Sequence, residues 1–254
     1  MVRKTAQRAL SRWGYDIVRR PGAASLAETH PDMEAEFAAI FAKAEPFTMT
    51  SAERMYALWR AVGHVCRSGV QGDIVECGVW RGGSSMLAAL TLLDLGESQR
   101  CLWLYDTFQG MSEPTDKDVS VTGYSASEDW ARLQNDRDDP NLAFATLADV
   151  RANMASTGLD LARVRYIEGP VEDTIPADVP DRIALLRLDT DWYESTKHEL
   201  VHLWDRLEPG GVLIIDDYGH WVGAREAVDE FFDGREDAPL LVRVDYTGRV
   251  AVKR

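Results

Sequence analysis

Apolar runs of strand length alternate with helical segments along most of this chain, from Gly72 to Phe232. Runs such as DIVEC, CLWLY, IALLRL and VLII are typical of buried strands, and the segments between them place apolar residues at helical spacing. This alternation predicts an α/β fold with a parallel, doubly wound sheet. The closing segment, LLVRVDYTGRVAVKR, predicts an antiparallel hairpin around Thr247 and Gly248, which brings the sheet to seven strands.

The pattern also predicts how the chain is divided. Residues 1–30 are expected to form a basic N-terminal helix and linker, and residues 31–254 the main domain. Within that domain, residues 31–70 read as a helical cap that follows helical periodicity. The polar segment 109–140 is too long for an ordinary connection and predicts a lid over a site.

The first 20 residues are locally basic in an acidic protein. They are compatible with peripheral contact with an anionic membrane surface, but a frayed N-terminal helix or a contact in a homo-oligomer is the preferred interpretation. Their basic residues, set against the single acid Asp16, are Arg3, Lys4, Arg8, Arg12, Arg19 and Arg20.

The overall composition excludes several classes of protein. The 254 residues carry a formal net charge of −14, which disfavours non-specific binding to nucleic acid. The 3 cysteines form no CxxC pair, so neither a disulfide framework nor a zinc knuckle is expected. No secretory signal is visible, and no apolar run reaches the ~18 residues of a membrane span. We therefore expect a cytoplasmic protein, with the inner face of the membrane as its peripheral location if the basic segment binds lipid.

Two of the apolar runs end in paired acids. LLRL leads into Asp189 and Asp191, and VLII leads into Asp216 and Asp217. Because ligands bind outside the carboxyl ends of parallel strands, these acids are expected at the ligand edge of the sheet. Clustered carboxylates repel one another and are costly to bury, which predicts a counter-charge such as a metal ion. Carboxylates are hard oxygen ligands, which suit Mg²⁺ better than Zn²⁺. The alternative to a metal site is that these acids only cap turns or helices.

A glycine turn and a second acid predict a nucleotide-like ligand at the same edge. In VECGVWRGGSS the glycines Gly78, Gly82 and Gly83 come after the first strand, but their GxxxGG spacing matches neither a dinucleotide fingerprint nor a P-loop. Asp106 ends the next strand and is well placed for ribose hydroxyls, with capping of a turn at Thr107 as the alternative. After the third strand, Gly169 leaves space for a ring and Glu172 offers an acceptor for an amine, unless Asp173 simply caps a helix.

Four motifs in combination resemble the macrocin O-methyltransferase (TylF) family. They are GDIVECGVWRGGSS, LYDTFQGM, LLRLDTDWYEST and EPGGVLIIDDYGHWVGAREAVDEFF, they occur in this order, and the resemblance covers about residues 45–235. The resemblance implies a class I methyltransferase of Rossmann-like fold that depends on S-adenosyl-L-methionine (SAM) and Mg²⁺. It also implies methylation of a sugar hydroxyl on a natural product, a glycolipid or a polysaccharide.

The resemblance further implies roles for individual residues. Glu76 and Gly78 are expected beside the methionine part of SAM, with Ser84 near its carboxylate and Asp106 on the ribose. The remaining roles are the adenine border for Val171 and Glu172, the Mg²⁺ ligands for Asp189, Asp216 and Asp217, and the general base for Asp191. One departure is EGPVEDT, where an aromatic residue is expected in place of Pro170 or Val171.

Several alternatives stay open at the level of sequence. His220 rivals Asp191 as the base, because the ordinary pKa of imidazole suits proton transfer. Tyr124 and Trp130 in the polar segment are candidates for stacking on a sugar ring. A catechol-type O-methyltransferase needs the same metal geometry, although the large polar segment favours a sugar. The alternative from another functional class is a non-catalytic, membrane-associated partner in a glycan pathway.

Overall fold

The structure is a computed structural model that describes residues 26–135 and 142–254. The chain divides into two compact units, residues 1–38 and 39–254. The described part of the first unit contains a short helix, α1 (Leu26–Thr29). The basic segment 1–20 lies outside the described residues, so its membrane contact and the boundary at residue 30 stay predictions. In the two described ranges, no helix is long and apolar enough to cross a membrane.

The second unit is built on a seven-stranded sheet, as the alternation predicts. Its order is β3-β2-β1-β4-β5-β7-β6, with β1 to β5 parallel and β7 antiparallel to both β5 and β6. The closing hairpin is thereby confirmed. The strands are β1 (Asp73–Cys77), β2 (Leu102–Asp106), β3 (Val164–Glu168), β4 (Ile183–Leu188), β5 (Leu207–Ile215), β6 (Val242–Arg243) and β7 (Arg249–Val252).

Helices precede, connect and follow the parallel strands along the chain. They are α2 (Ala35–Ala44), α3 (Ala52–Arg67), α4 (Gly83–Asp94), α5 (Ala126–Leu133), α6 (Leu147–Ser156), α7 (Val171–Thr174), α8 (Tyr193–Leu203) and α9 (Val222–Phe232). Short 3₁₀ turns lie at Glu45–Phe47, Leu161–Arg163 and Trp204–Arg206. Asp173 lies inside α7, whose N-cap is Pro170, so the alternative that Asp173 caps this helix is wrong.

The alternation of side chains along β4 separates an apolar core from a charged layer. Leu186 and Leu188 point into a core cluster that also contains Leu200, Leu203 and Trp204 from the end of α8. Arg187 lies between the two leucines in sequence and therefore points to the opposite face. Its partner in the register with β1 is Glu76, and its partner in β5 is Ile214, two residues before Asp216. Glu76, Arg187 and Asp216 therefore share one face of the sheet.

The polar segment expected to form a lid is fastened to the domain along its described part. Asp118 is fully buried, and its Oδ1 accepts from the backbone N–H of Tyr193 at 2.8 Å, at the start of α8. Its Oδ2 accepts from the backbone N–H of Thr115 at 2.6 Å and from the Thr115 hydroxyl at 3.0 Å. Ser120 forms a β-bridge with Trp221. Residues 136–141 lie outside the described residues, and closure of the segment stays a prediction.

We expect Asp118→Ala to lower the free energy of unfolding by roughly 2–4 kcal/mol, because it leaves buried donors without an acceptor. Urea denaturation measures this change, and limited proteolysis of residues 109–135 reports release of the segment. Asp116→Ala is the matched control, since Asp116 is exposed and accepts a single bond from Ser127 at 3.3 Å. Equal losses in the two variants would contradict the anchoring role of Asp118.

Candidate active site

A buried guanidinium holds the ends of three strands together. Arg187 is fully buried in β4, and its Nη1 donates to Glu76 Oε1 and to Asp189 Oδ2, each at 2.7 Å. Its Nη2 donates to Asp216 Oδ1 at 2.7 Å and to the hydroxyl of Thr50 at 3.2 Å. A charge at this depth is stable only when it is paired and hydrogen-bonded, and these partners satisfy that condition.

A second arginine reaches the same acids from helix α3. The Nη1 of Arg54 pairs with Oδ2 of Asp216, and its Nε lies 3.1 Å from Oδ2 of Asp245 in the closing hairpin. The two arginines thus supply part of the counter-charge that the acid cluster requires. The sequence offered a signal for Arg187, because a charged residue inside the apolar run LLRL needs buried partners. Nothing in the sequence around Arg54 indicates its role.

The predicted metal ligands do converge. Asp189, Asp216 and Asp217 each offer a carboxylate oxygen, and these oxygens lie within 4.8 Å of one another. Three carboxylate oxygens form the hard donor set that Mg²⁺ takes, with further positions left for water or substrate. The residues present therefore fit such an ion by their chemistry, and which ion binds stays a prediction.

Asp191 lies in the turn after β4 and is held in an unusual conformation. Its φ is 67°, in the left-handed region that few non-glycine residues adopt, so the surrounding contacts must stabilise it. Its Oδ1 accepts from the indole N–H of Trp221 at 2.6 Å. Burial, reinforced by the nearby charge of Asp189, raises the pKa of Asp191 to about 7. Burial and the charge of Asp191 likewise raise the pKa of Asp217.

The first of two adjoining cavities, here called the donor cavity, contains most of the residues expected to bind SAM. It has a volume of about 60 Å³. The expected site residues in its wall are Gly78, Asp106, Val171, Glu172 and Asp189, and Thr190 and Ser195 complete the side next to α8. Ser84 and Glu76 are not in this wall. The Ser84 hydroxyl donates to the sulfur of Met55 at 3.7 Å, and Glu76 is bound to Arg187 and Ser85.

Asp106 braces the glycine turn beside the donor cavity. Its Oδ2 accepts from the backbone N–H groups of Val79 at 2.6 Å and Trp80 at 3.0 Å, and its Oδ1 accepts from Phe108 at 2.7 Å. Burial raises the pKa of Asp106, and these backbone bonds oppose the rise. A carboxylate oxygen has more than one lone pair, so Oδ1 can still accept from a ligand hydroxyl.

Gly78 is required by close packing in this turn. Its φ is 82°, and a Cβ added there would lie 1.9 Å from the carbonyl oxygen of Asp189. The glycine turn therefore presses directly against Asp189, the first residue of the turn Asp189-Thr190-Asp191, here called the DTD turn. Any side chain at this position would push apart the two elements that line the donor cavity.

The second cavity, here called the acceptor cavity, lies on the other side of the DTD turn and has a volume of about 300 Å³. Its wall combines carboxylates with aromatic and apolar side chains. His220 lines it, bonds through Nδ1 to the Tyr246 hydroxyl at 2.9 Å, and has its pKa lowered by burial and by Arg54. The other lining residues are Met49, Arg54, Met111, Tyr124, Ala126, Leu133, Ala143, Asp191, Trp192, Asp217, Trp221, Tyr246 and Thr247.

A third cavity of about 460 Å³ adjoins the donor cavity. It shares Thr107, Gly110 and Pro170 with the donor cavity, and Trp130 forms part of its wall. Of the two aromatic side chains suggested for sugar stacking, Tyr124 thus lines the acceptor cavity, whereas Trp130 lies beside the expected adenine region. Met111 lines all three cavities, so the three spaces meet at this side chain.

Comparison with known families identifies the fold and the class of enzyme. Residues 7–253 match the family described as Macrocin-O-methyltransferase (TylF). The chain belongs to this family. The predicted resemblance is therefore confirmed, and so are the class I methyltransferase fold and the O-methyltransferase class of the enzyme.

Individual relatives agree with this assignment. The chain is 36% identical over 201 residues to mycinamicin III 3''-O-methyltransferase of Micromonospora griseorubida, covering 79% of this chain and 76% of the relative. It is 35% identical over 201 residues to 8-demethyl-8-(2,3-dimethoxy-alpha-L-rhamnosyl)-tetracenomycin-C 4'-O-methyltransferase of Streptomyces olivaceus, covering 79% and 73%. Among solved structures, the O-methyltransferase NovP is 33% identical with a TM-score of 0.70, and the match covers 81% of each chain.

The buried Glu76 makes the stability of this family member depend on pH. Burial raises the pKa of Glu76 to about 7, although Arg187 and the Ser85 hydroxyl oppose the rise. The folded protein then retains a proton that the unfolded chain releases near pH 4.5, so stability contributed by this group falls as pH rises from about 4.5 to 7. We expect Glu76→Gln to gain stability relative to wild type over this range, on the order of 2 kcal/mol.

Urea denaturation of both proteins at pH 5 and pH 8, without metal, measures this difference. Glu97→Gln is the control, because the backbone N–H of Gln99 lowers the pKa of Glu97 and the pH dependence has the opposite sign. A Glu76→Gln variant that loses stability relative to wild type as pH rises would refute the assignment.

Proposed function

We propose that this protein is a SAM- and Mg²⁺-dependent O-methyltransferase that acts on a sugar hydroxyl of a glycosylated natural product. The observation that carries the proposal is the meeting of two cavities at the DTD turn, with Asp189 facing the donor cavity and Asp191 the acceptor cavity. The names of two relatives, which specify methylation of a mycinamicin and of a rhamnosyl-tetracenomycin, support this acceptor class.

The donor cavity and the third cavity together provide room for SAM. We place the ribose at Asp106, the methionine part along the Gly78 turn, and the adenine toward Val171 and Glu172. Trp130, which lines the third cavity with Gly169 and Pro170, then supplies the aromatic surface that the EGPVEDT segment lacks. Stacking of a base on an aromatic ring is worth about 1–3 kcal/mol.

We expect Trp130→Ala to weaken binding of S-adenosylhomocysteine by about fivefold to a hundredfold, and Trp130→Phe to retain most of the affinity. Asp106→Asn should also weaken binding, because the amide cannot accept from both the turn and a ribose hydroxyl. Isothermal titration calorimetry measures the dissociation constants. Asp173→Asn, an exposed change beside Glu172, is the control and should bind normally. Unchanged affinity for S-adenosylhomocysteine in both Trp130→Ala and Asp106→Asn would contradict this placement of the donor.

The walls of the acceptor cavity suit a sugar. Trp192 and Trp221 meet edge to face at 4.9 Å, and Tyr124 lies 6.3 Å from Trp221, so aromatic surface is available for the apolar face of a pyranose. Asp191, Asp217 and Thr247 add acceptors for its hydroxyls. A phenolic diol would leave more of these polar groups unpaired, which makes the catechol-type alternative the weaker one.

The rim of the acceptor cavity indicates what carries the sugar. Met49, Tyr124 and Tyr246 line the cavity and remain 54%, 39% and 57% exposed, an apolar surface at its mouth. Among the described lining residues the one arginine is Arg54, and its guanidinium already pairs with Asp216 and Asp245. A nucleoside diphosphate would bring negative charge toward Asp191 and Asp217 without a spare arginine to receive it. We therefore propose an acceptor sugar attached to an apolar aglycone.

Asp191 is the proposed base. It faces the acceptor cavity, and the Trp221 indole N–H fixes the orientation of its carboxylate. Asp191 would take the proton from the attacking hydroxyl, while Trp192 and Trp221 orient the ring and exclude water. When bound at Asp189, Asp216 and Asp217, Mg²⁺ would supply positive charge that lowers the pKa of the acceptor hydroxyl. His220 is the second candidate for the base, because it lines the same cavity with a lowered pKa.

The test is methyl transfer from SAM to a panel of acceptors with MgCl₂, followed by mass spectrometry. We expect transfer to aryl and alkyl glycosides, and little or none to nucleoside diphosphate sugars or to simple catechols. Asp191→Asn should lower kcat by about 10²–10⁴-fold with unchanged affinity for S-adenosylhomocysteine. His220→Gln should lower kcat by less than tenfold, and the reverse order would assign the base to His220. Preferred transfer to catechols would overturn the sugar assignment.

A further inference from the structure

Both carboxylate oxygens of Asp216 are engaged by arginines in this structure, Oδ1 by Arg187 and Oδ2 by Arg54. We propose that Arg54 is a displaceable internal cation, which holds Oδ2 of Asp216 until a divalent metal binds and then pairs with Asp245 alone. The proposal rests on the metal site of the proposed function. It goes further in assigning to Arg54 a competition with the metal that sets metal affinity.

The two arginines differ in their freedom to move. The Arg187 side chain is only 3% exposed and is bonded to a residue of β1, to the residues directly after β4 and β5, and to the segment before α3. Arg54 is 14% exposed, lines the acceptor cavity and has carboxylate partners in Asp216 and Asp245. Displacement of Arg187 would break four bonds inside the protein, whereas Arg54 can leave Asp216 into a space that a ligand also enters.

Asp245 provides the place to which Arg54 moves. Its Oδ2 lies 3.1 Å from Arg54 Nε and accepts from the Ser51 hydroxyl at 2.9 Å. Its Oδ1 accepts from the backbone N–H groups of Thr247 at 2.9 Å and Gly248 at 2.7 Å, so the carboxylate is fixed. A Cβ on Gly248 would lie 2.8 Å from Cγ and Cδ of Arg54. The glycine therefore keeps open the space in which the arginine stem lies.

Competition follows from charge and from geometry. A dication held by Asp189, Asp216 and Asp217 would lie within a few ångströms of the Arg54 guanidinium, where two positive charges repel. Oδ2 is the oxygen of Asp216 that Arg187 leaves free, so the metal and Arg54 need the same atom. Removal of the Arg54 charge should therefore tighten metal binding, while loss of a residue with a merely structural role would leave it unchanged or weaken it.

The experiment is isothermal titration of MgCl₂ into the full-length protein without SAM or acceptor. We expect Arg54→Met, which keeps an unbranched apolar stem and removes the guanidinium, to lower the dissociation constant about tenfold or more, equivalent to about 1.4 kcal/mol. Arg60→Met is the matched control, because it removes the same charge from an exposed position on α3 and should leave the constant unchanged. Retained affinity for S-adenosylhomocysteine checks that Arg54→Met is folded, and Arg54→Gln serves if it is not.

A double-mutant cycle tests the role of Asp245. Asp245→Asn alone should weaken Mg²⁺ binding, because Arg54 is then held by Asp216 only. In the Arg54→Met background the same change should have an effect smaller than threefold. Equal effects in both backgrounds would show that Asp245 acts through its own charge, and the proposed movement of Arg54 would be overturned.

The outcomes separate this inference from the proposed function. Binding of Mg²⁺ to wild type and its loss in Asp217→Asn would support the metal site itself. If Arg54→Met then binds Mg²⁺ no more tightly than wild type, the competition is overturned and the methyltransferase reaction still stands. Absence of binding to wild type and to Arg54→Met at millimolar MgCl₂ overturns both the metal dependence and the role of Arg54.

Discussion

The arrangement of this site depends on one buried guanidinium. Arg187 lies on β4 between Glu76 on β1 and Asp216 after β5, and it donates to both and to Asp189. Without a cation at this depth, the carboxylates at three strand ends would repel one another in surroundings that solvate them poorly. Arg187 thus permits acids to remain close together at the ligand edge, and the cavities are built around that edge.

The DTD turn divides the ligand space into the donor and acceptor sides. Asp189 presses against Gly78 on one side, and Asp191 faces the aromatic wall of Trp192 and Trp221 on the other. The same turn leads into α8, whose first N–H is bonded by Asp118 from the polar segment. Because one short stretch carries all these contacts, a displacement of the turn would disturb both cavities together.

The sequence predicts some of these features because their partners are close along the chain or on neighbouring strands. Alternating strands and helices are local, and parallel strands must bring Asp106, Asp189 and Asp216 to one edge. A local sequence pattern predicts the wrong contact where a residue from a distant part of the chain binds the same side chain. Thr50 and Glu53 have capping-box spacing, yet Ser51 is the N-cap of α3 and the Thr50 hydroxyl accepts from Arg187 instead.

The sequence by itself determined the fold, the family and the acids at the strand ends, because periodicity and short motifs encode them directly. Only the tertiary structure decided which groups neutralise and surround those acids. Arg54, Asp245 and Tyr246 come from segments nearly 200 residues apart, as the separation of 194 between Ser51 and Asp245 illustrates. Such contacts have no local pattern, because they arise from packing of α3 and the closing hairpin around the sheet edge.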